Sequence, residues 1–263
     1  MKSSSSNSLR IVSLAPSATS ILCAISAKKD LVGVTKWCAG VAPVNGLPKL
    51  GDCWHMDAVD LILKLKPTLV IGSVPYKQET LRKLLEHPLT FLATNPRTLG
   101  DIENDIRTLG GIVNRRPHAE RLIRKMHQGF AAIAKKSRAL EKKFRVYCEA
   151  WPNPRISSPP WVAEIIEICG GEMVLPAGQK ITDAQVAAAR PELIVLAWAA
   201  TGDKAKPHKS YQVESWRDVP AIGNKRVYVV RDELLNTPGP PLLAGAKALL
   251  RIFQEAAKQE NKR

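Results

Sequence analysis

The sequence predicts an α/β protein with two parallel-sheet lobes joined by a long backbone helix. Three observations predict it. Short apolar, β-branched runs alternate with amphipathic segments, the rhythm of right-handed βα units around a parallel sheet. One helical period, from Pro117 to about Leu140, is longer than all its neighbours. The segments on either side of it also echo one another. "DAVDLILKLKPTLVIG" in the first half and "DAQVAAARPELIVLA" in the second both run from an acidic residue through Lys-Pro or Arg-Pro into an apolar strand. The expected division is a disordered lead-in at 1–8, a first lobe over 9–115, a connecting helix over 116–142 and a second lobe over 143–263.

Each element has a local reason. Leu9 to Leu14 reads as a strand closed by Ala15-Pro16-Ser17, and a helix follows with Ile21, Leu22 and Ile25 inward. Leu31 to Val34 is a second strand. Asp57 and Asp60 give the next helix a capping-box-like start, and Lys66-Pro67 ends it because proline cannot continue the hydrogen-bond ladder. "TLVIG" then has the continuous apolar character of a buried parallel strand. Leu81, Leu84 and Leu85 mark a helix and "LTFLA" at 89 to 93 a strand. Thr98 and Asp101 open another helix, with Leu99, Ile102, Ile106 and Leu109 on one face and Gly110-Gly111 as its stop.

Pro117 is well placed at a helix start, and Leu122, Ile123, Met126, Phe130, Ile133 and Leu140 recur at helical spacing after it. A connector between two lobes accounts for this segment; a capping helix within one domain accounts for it too. "FRVYCEA" at 144 to 150 begins a second α/β set. Thr182 and Gln185 have capping-box spacing, Arg190-Pro191 ends that helix, and "ELIVLAW" resumes the sheet. "RVYVV" at 226 to 230 and the amphipathic run from Leu242 to Phe253 complete the chain.

The 263 residues hold 39 Lys and Arg against 24 Asp and Glu, a formal charge of +15. Such a field favours anionic ligands or surfaces, although solvated helix faces explain scattered basic residues equally well. No basic helix, aromatic platform or zinc-finger spacing accompanies the charge, so nucleic acid is not an expected partner. Cys23, Cys38, Cys53, Cys148 and Cys169 form no CxxC pair and read as isolated thiols. The start "MKSSSSNSLRIVSLAPS" lacks the apolar core of a secretory signal, and no stretch is long and apolar enough to span a membrane. The chain as written is therefore expected in the cytoplasm, or in the periplasm or outside the cell if a native signal has been removed.

No P-loop, dinucleotide fingerprint, HExxH or nucleophile elbow is present, and nothing nominates an acid–base pair, so the expectation is a binding protein and not an enzyme. The aromatic residues are more informative. Trp37, Trp54, Tyr76, Trp151, Trp161, Trp198 and Trp216 lie mainly in or beside loops at strand ends, the edge where open parallel sheets gather ligands. Flat rings there suit a large apolar or conjugated ligand, and loop anchoring is the plain alternative for each. Trp198 ends a buried strand and has the most core-like position. His55 and Cys53, beside Trp54, are candidate donors to a ligand's metal and equally candidate surface residues. No protein metal site is expected.

Four stretches, "RIVSLAPSATSILCAI", "LVGVTKWC", "GDCWHMDAVDLILKLKPTLVIG" and "VAEIIEICGG", resemble the cobalamin-binding substrate-binding proteins of ABC importers. These belong to a helical-backbone group that also serves iron siderophores and haem. The resemblance runs from about Arg10 to the last helix and implies the class III periplasmic-binding-protein fold. It places Trp54 against the ligand and Trp37 near the first lobe's other pocket aromatic; His55, as a candidate donor, and Tyr76 and Trp198, as aromatics at strand ends, complete the expected ligand site. It implies docking to a permease through one acidic residue per lobe; Asp60 falls on the first position and Glu233 lies close to the second. In "RDELLNTPGPP" the family's further pocket aromatic is absent, and Asp232 to Leu235 occupy its place. The implied function is non-catalytic binding of cobalamin or a related corrinoid, with no cofactor required and an ABC permease as partner. A haem or siderophore receptor and an enzyme acting on a corrinoid are the alternatives.

Overall fold

A computed structural model describes residues 9–51, 59–74, 77–202 and 204–260. The chain divides into two compact units. The first takes the chain up to Pro96 together with Asp101–Ile123, and the second takes Arg97–Gly100 and everything from Arg124 onward.

The first unit is built on a sheet of five described strands in the order β3-β2-β1-β4-β5, all parallel. These are β1 (Ile11–Ser13), β2 (Leu31–Thr35), β3 (Lys49–Leu50), β4 (Leu69–Ser73) and β5 (Phe91–Thr94). Helices α1 (Pro16–Ala24), α2 (Val59–Lys64) and α3 (Gln78–Leu85) connect them, and α4 (Leu99–Ile112) follows β5. Pro16 occupies the first turn of α1, where its missing N–H costs nothing. Val12, Leu14, Leu50, Ile62, Val70 and Leu84 pack into one core cluster, which is why a short apolar run in each strand suffices. Lys66, next to the predicted proline stop, turns left-handed at φ 46° and ends α2. Asp57, the predicted cap, lies outside the described residues.

The second unit carries β6 (Phe144–Pro152), β7 (Arg155–Ser157), β8 (Gly171–Met173), β9 (Leu193–Leu196) and β10 (Val227–Val229). β10, β9 and β6 run parallel; β8 pairs in parallel with the start of β6, and β7 pairs antiparallel with its end. That hairpin departs from the purely parallel pattern. It forms because β6 runs on to Pro152, and Asn153 with a cis Pro154 turns the chain back. Helices α6 (Pro160–Ile168), α7 (Asp183–Ala189), α8 (Pro220–Gly223), α9 (Asp232–Leu235) and α10 (Leu242–Glu260) complete the unit. The capping box at α7 forms as its spacing requires, Thr182 Oγ1 accepting from Gln185 N at 3.2 Å and Gln185 Oε1 accepting from Thr182 N at 2.8 Å.

Helix α5 (Arg116–Ser137) begins in the first unit and ends in the second. Leu122, Ile123, Met126, Phe130 and Ile133 are buried along it, with Ala119 and Ser137, while Leu140 falls beyond its end. Two expectations need correction here. Gly110-Gly111 does not stop α4, which continues to Ile112 and is ended by Asn114 at φ 53°. Gly110 instead permits close packing, since a Cβ there would lie 2.5 Å from that of Ala119. The basic residues are also less scattered than the linear sequence suggests, because winding gathers Arg124, Lys125, Lys135 and Lys136 of α5 on one face.

Close approach is tightest at Gly245 in α10, where a Cβ would stand 2.2 Å from the carbonyl oxygen of Leu234. Backbone cannot yield as a side-chain tip does. Gly245→Ala is expected to destabilise the protein by about 2–3 kcal/mol through overpacking, read as a lowered urea midpoint. Gly223→Ala, with nothing within 4 Å of the added carbon, is the matched control and is expected to shift stability by less than ~1 kcal/mol. Equal midpoints for the two variants would contradict this packing.

Candidate functional site

A parallel sheet delivers all its connections of one kind to one edge, so the C-terminal ends of the strands concentrate the loops that meet a ligand. In the first unit that edge holds Ser13–Ala15, Thr35–Gly40, Leu50–Gly51, Ser73–Val74 and Thr94. A buried polar chain fixes its centre. Ser13 Oγ donates to the carbonyl of Ala15 at 2.9 Å, and Thr19 Oγ1 donates to Ser13 Oγ at 2.8 Å. The buried Cys38 sulfur lies 3.1 Å from Thr19 Oγ1 and 3.2 Å from Thr35 Oγ1. Cys38 thereby anchors a short 3₁₀ turn, Lys36–Gly40, directly after β2.

That turn presents Trp37. Its side chain is 39% exposed although tryptophan is a costly residue to leave in water, and Lys36 Nζ stands 4.6 Å from its ring centroid. Val74, exposed after β4, adds apolar surface to the same edge. Trp54, His55 and Tyr76 lie outside the described residues, as does Cys53. The first two belong to the connection that leaves β3 at its C-terminal end, and Tyr76 to the one that leaves β4.

The second unit's edge is organised by a carboxylate. Glu149, near the end of β6, is fully buried. Its Oε2 accepts from Tyr147 OH at 2.8 Å and from Arg155 Nη1 at 2.9 Å, and its Oε1 accepts from Trp198 Nε1 at 2.7 Å. Arg155 also pairs with Asp183 and lies 4.3 Å from the ring centroid of Trp216. Burial and the adjacent carboxylate push the Tyr147 hydroxyl far above its ordinary range, so it acts as a fixed donor. One acidic side chain therefore ties together β6, β7 and the loop after β9.

The tryptophans sort sharply. Trp198 is only 5% exposed and packs with Tyr147, Leu196 and Trp216, so it belongs to the core and offers a ligand little more than an edge. Trp161 and Trp216 are buried as well. Trp151 is the opposite: 41% exposed on the β6–β7 hairpin, with its indole N–H donated to Asn153 O at 2.9 Å. Its position two residues past the parallel pairing with β9 was not visible without the hairpin. Asp232, at the start of α9, accepts from the amides of Ala200 at 3.0 Å and Gly202 at 3.1 Å, holding the loop after β9.

The two acidic residues expected to meet a permease differ in setting. Asp60 is exposed in the first turn of α2. Glu233, in α9, accepts from Arg231 Nη2 at 3.2 Å and keeps about a fifth of its side chain exposed (22%). Among the described residues no group of three or more His, Cys, Asp and Glu side chains comes together as a metal site. The thiols of Cys148 and Cys169 are pushed up to about 12 by burial, which keeps them protonated and unreactive.

A sequence profile described as "Periplasmic binding protein" matches residues 11–234. The chain belongs to this family. Periplasmic binding proteins are non-catalytic solute-binding proteins, and this chain is accordingly a substrate-binding protein of the ABC-transporter type and not an enzyme. Curated relatives match along nearly the full length. The "Uncharacterized ABC transporter substrate-binding lipoprotein YvrC" of Bacillus subtilis is 26% identical over 95% of this chain and 82% of its own. A "Vitamin B12-binding protein" of Vibrio parahaemolyticus is 24% identical over 97% of this chain and 91% of its own. Among solved structures, the periplasmic heme-binding protein RhuT from Roseiflexus sp. RS-1 superposes with a TM-score of 0.80 at 23% identity, covering 95% of this chain and 99% of that one. The vitamin B12-binding protein BtuF of Vibrio cholerae gives 0.72 at 21% identity, covering 95% and 98%. These likenesses establish the two-lobed class III fold. No helix among the described residues is long and apolar enough to cross a membrane.

Breaking a buried ion pair on one side leaves the other charge uncompensated. Glu149→Gln is therefore expected to lower stability by about 3 kcal/mol in urea unfolding, since it removes the buried one of the two carboxylates paired with Arg155 and the charged acceptor shared by Tyr147 and Trp198. Trp151→Phe, at an exposed position, is expected to change stability by less than about 0.5 kcal/mol. A Glu149→Gln variant as stable as the parent would refute the anchoring role.

Proposed function

We propose that this periplasmic binding protein carries cobalamin or a related corrinoid to an ABC importer, working in the periplasm or outside the cell. The observation that carries the reading is Trp37. An exposed indole at the C-terminal edge of a parallel sheet, braced from beneath by Cys38, is a stacking surface for a flat conjugated macrocycle. Lys36 beside it supplies positive charge for the phosphate-bearing tail of such a ligand. The choice of macrocycle is supported by relatives named Vitamin B12-binding protein, which align over 87–97% of this chain.

Trp54, His55 and Tyr76 are proposed to join Trp37, since they lie in the connections that leave the same edge of the sheet. Trp198 is proposed to back the second unit's loops, with at most edge contact to the ligand. Asp60 and Glu233 are proposed to meet basic residues of a permease, Glu233 exchanging its bond to Arg231 for the partner's arginine.

A visible-spectrum screen after size exclusion tests this, offering cobalamin, cobinamide and haem in turn to the purified protein. The expected result is stoichiometric co-elution of a corrinoid, with affinity reduced about tenfold in Trp37→Ala, the scale of one lost aromatic stack. A Soret band with haem and no corrinoid co-elution would replace the corrinoid by haem. Turnover of a bound corrinoid would contradict a carrier.

A further inference from the structure

From Arg121 to Leu140 the chain contains no Asp or Glu. Within the second unit, α5 and the residue just beyond it carry Arg124, Lys125, Lys135, Lys136 and Arg138, all exposed. At 3.6 residues per turn they fall within an arc of about 160°, and the basic stretch from 124 to 136 is about 18 Å long. Met126, Phe130 and Ile133 occupy the opposite, buried side. Gly129 seats the helix closely against α10, since a Cβ there would lie 2.5 Å from Leu243 Cδ2. The basic face is thus held outward by a packed helix.

This is not how the chain solvates charge elsewhere. On α3, Arg82 bonds Glu79 at 3.0 Å and also pairs with Glu86, while Lys83 stands 3.9 Å from Glu79. Such pairs stabilise an exposed helix, and like charges on one face do the reverse. Among the described residues, none of the five basic side chains on α5 and at its end is paired with a carboxylate. The face carries an electrostatic cost with no internal compensation.

We propose that this face docks on the anionic headgroups of a phospholipid bilayer. Its shape selects that partner. Ala131 and Ala132 lie between the charges, so the face has no aromatic or large apolar anchor of the kind on which protein interfaces depend. It carries no aromatic platform for bases. A plane of negative headgroups requires neither, and each basic residue near it contributes independently. The proposal does not rest on the identity of the ligand. It would keep a carrier close to the membrane in which a permease operates.

The test is flotation of the full chain with vesicles of phosphatidylcholine alone and of phosphatidylcholine with phosphatidylglycerol, at physiological salt. The parent is expected to float only with phosphatidylglycerol. The triple variant Arg124→Gln, Lys135→Gln, Lys136→Gln is expected to bind about 100-fold more weakly, roughly fivefold per charge removed. Lys204→Gln, Lys206→Gln, Lys209→Gln removes the same charge from an exposed loop and is expected to retain most of the affinity. A single Lys136→Glu, checked by circular dichroism, repeats the comparison if the triple variant misfolds. Equal losses in the two triple variants would reduce the effect to net charge and overturn the proposal. So would binding that ignores phosphatidylglycerol, or tighter binding to duplex DNA or polyglutamate than to the anionic vesicles.

Discussion

Glu149 accepts three hydrogen bonds without contact with water, and the C-terminal edge of the second unit's sheet is arranged around that fact. A buried carboxylate is tolerable only when its charge and lone pairs are met, so its partners cannot move independently. Arg155 brings β7 to it, Tyr147 holds it from within β6, and Trp198 ties down the chain leaving β9. The same arginine reaches Asp183 at the start of α7 and lies against Trp216. A single charge pair thus sets where the hairpin ends and how Trp151 is presented.

The first unit meets the same requirement with neutral groups. Ser13, Thr19, Thr35 and Cys38 satisfy one another beneath the Lys36–Gly40 turn, and their burial fixes the turn that exposes Trp37. Both edges therefore combine a rigid polar anchor below with an exposed indole above. That arrangement suits a carrier. A ring already held in place loses little freedom when a flat ligand stacks on it, so more of the contact energy appears as affinity.

Much of the fold was legible because local rules and tertiary packing agree. The apolar runs became parallel strands, Thr182 and Gln185 formed their box, and the long helical period became α5. The misreadings have physical causes. Gly110 looks like a stop in one dimension and is a point of close contact with Ala119 in three. The β6–β7 hairpin was hidden by the prolines that make it, since Pro152 and Pro154 argue against strand in a linear reading. The basic face of α5 was hidden because buried Met, Phe and Ile residues interleave with it along the chain. At the sites, the position of Trp37 and the core-like place of Trp198 followed from the strands they end, whereas the burial of Trp161 and Trp216 depended on packing that the linear sequence does not show. A lone glutamate in "FRVYCEAW" is the signal that had been available: a charge in an apolar strand needs a partner, although the sequence does not say that Arg155 is that partner.

The central proposal is that a flat ligand stacks on Trp37 at the C-terminal edge of the first unit's sheet. Amide hydrogen exchange, compared with and without bound cobalamin, tests it most directly. The account predicts added protection in Lys36–Gly40 and in the connections leaving β3 and β4. Protection confined to the N-terminal ends of the strands, or to α4 and α5, would contradict it.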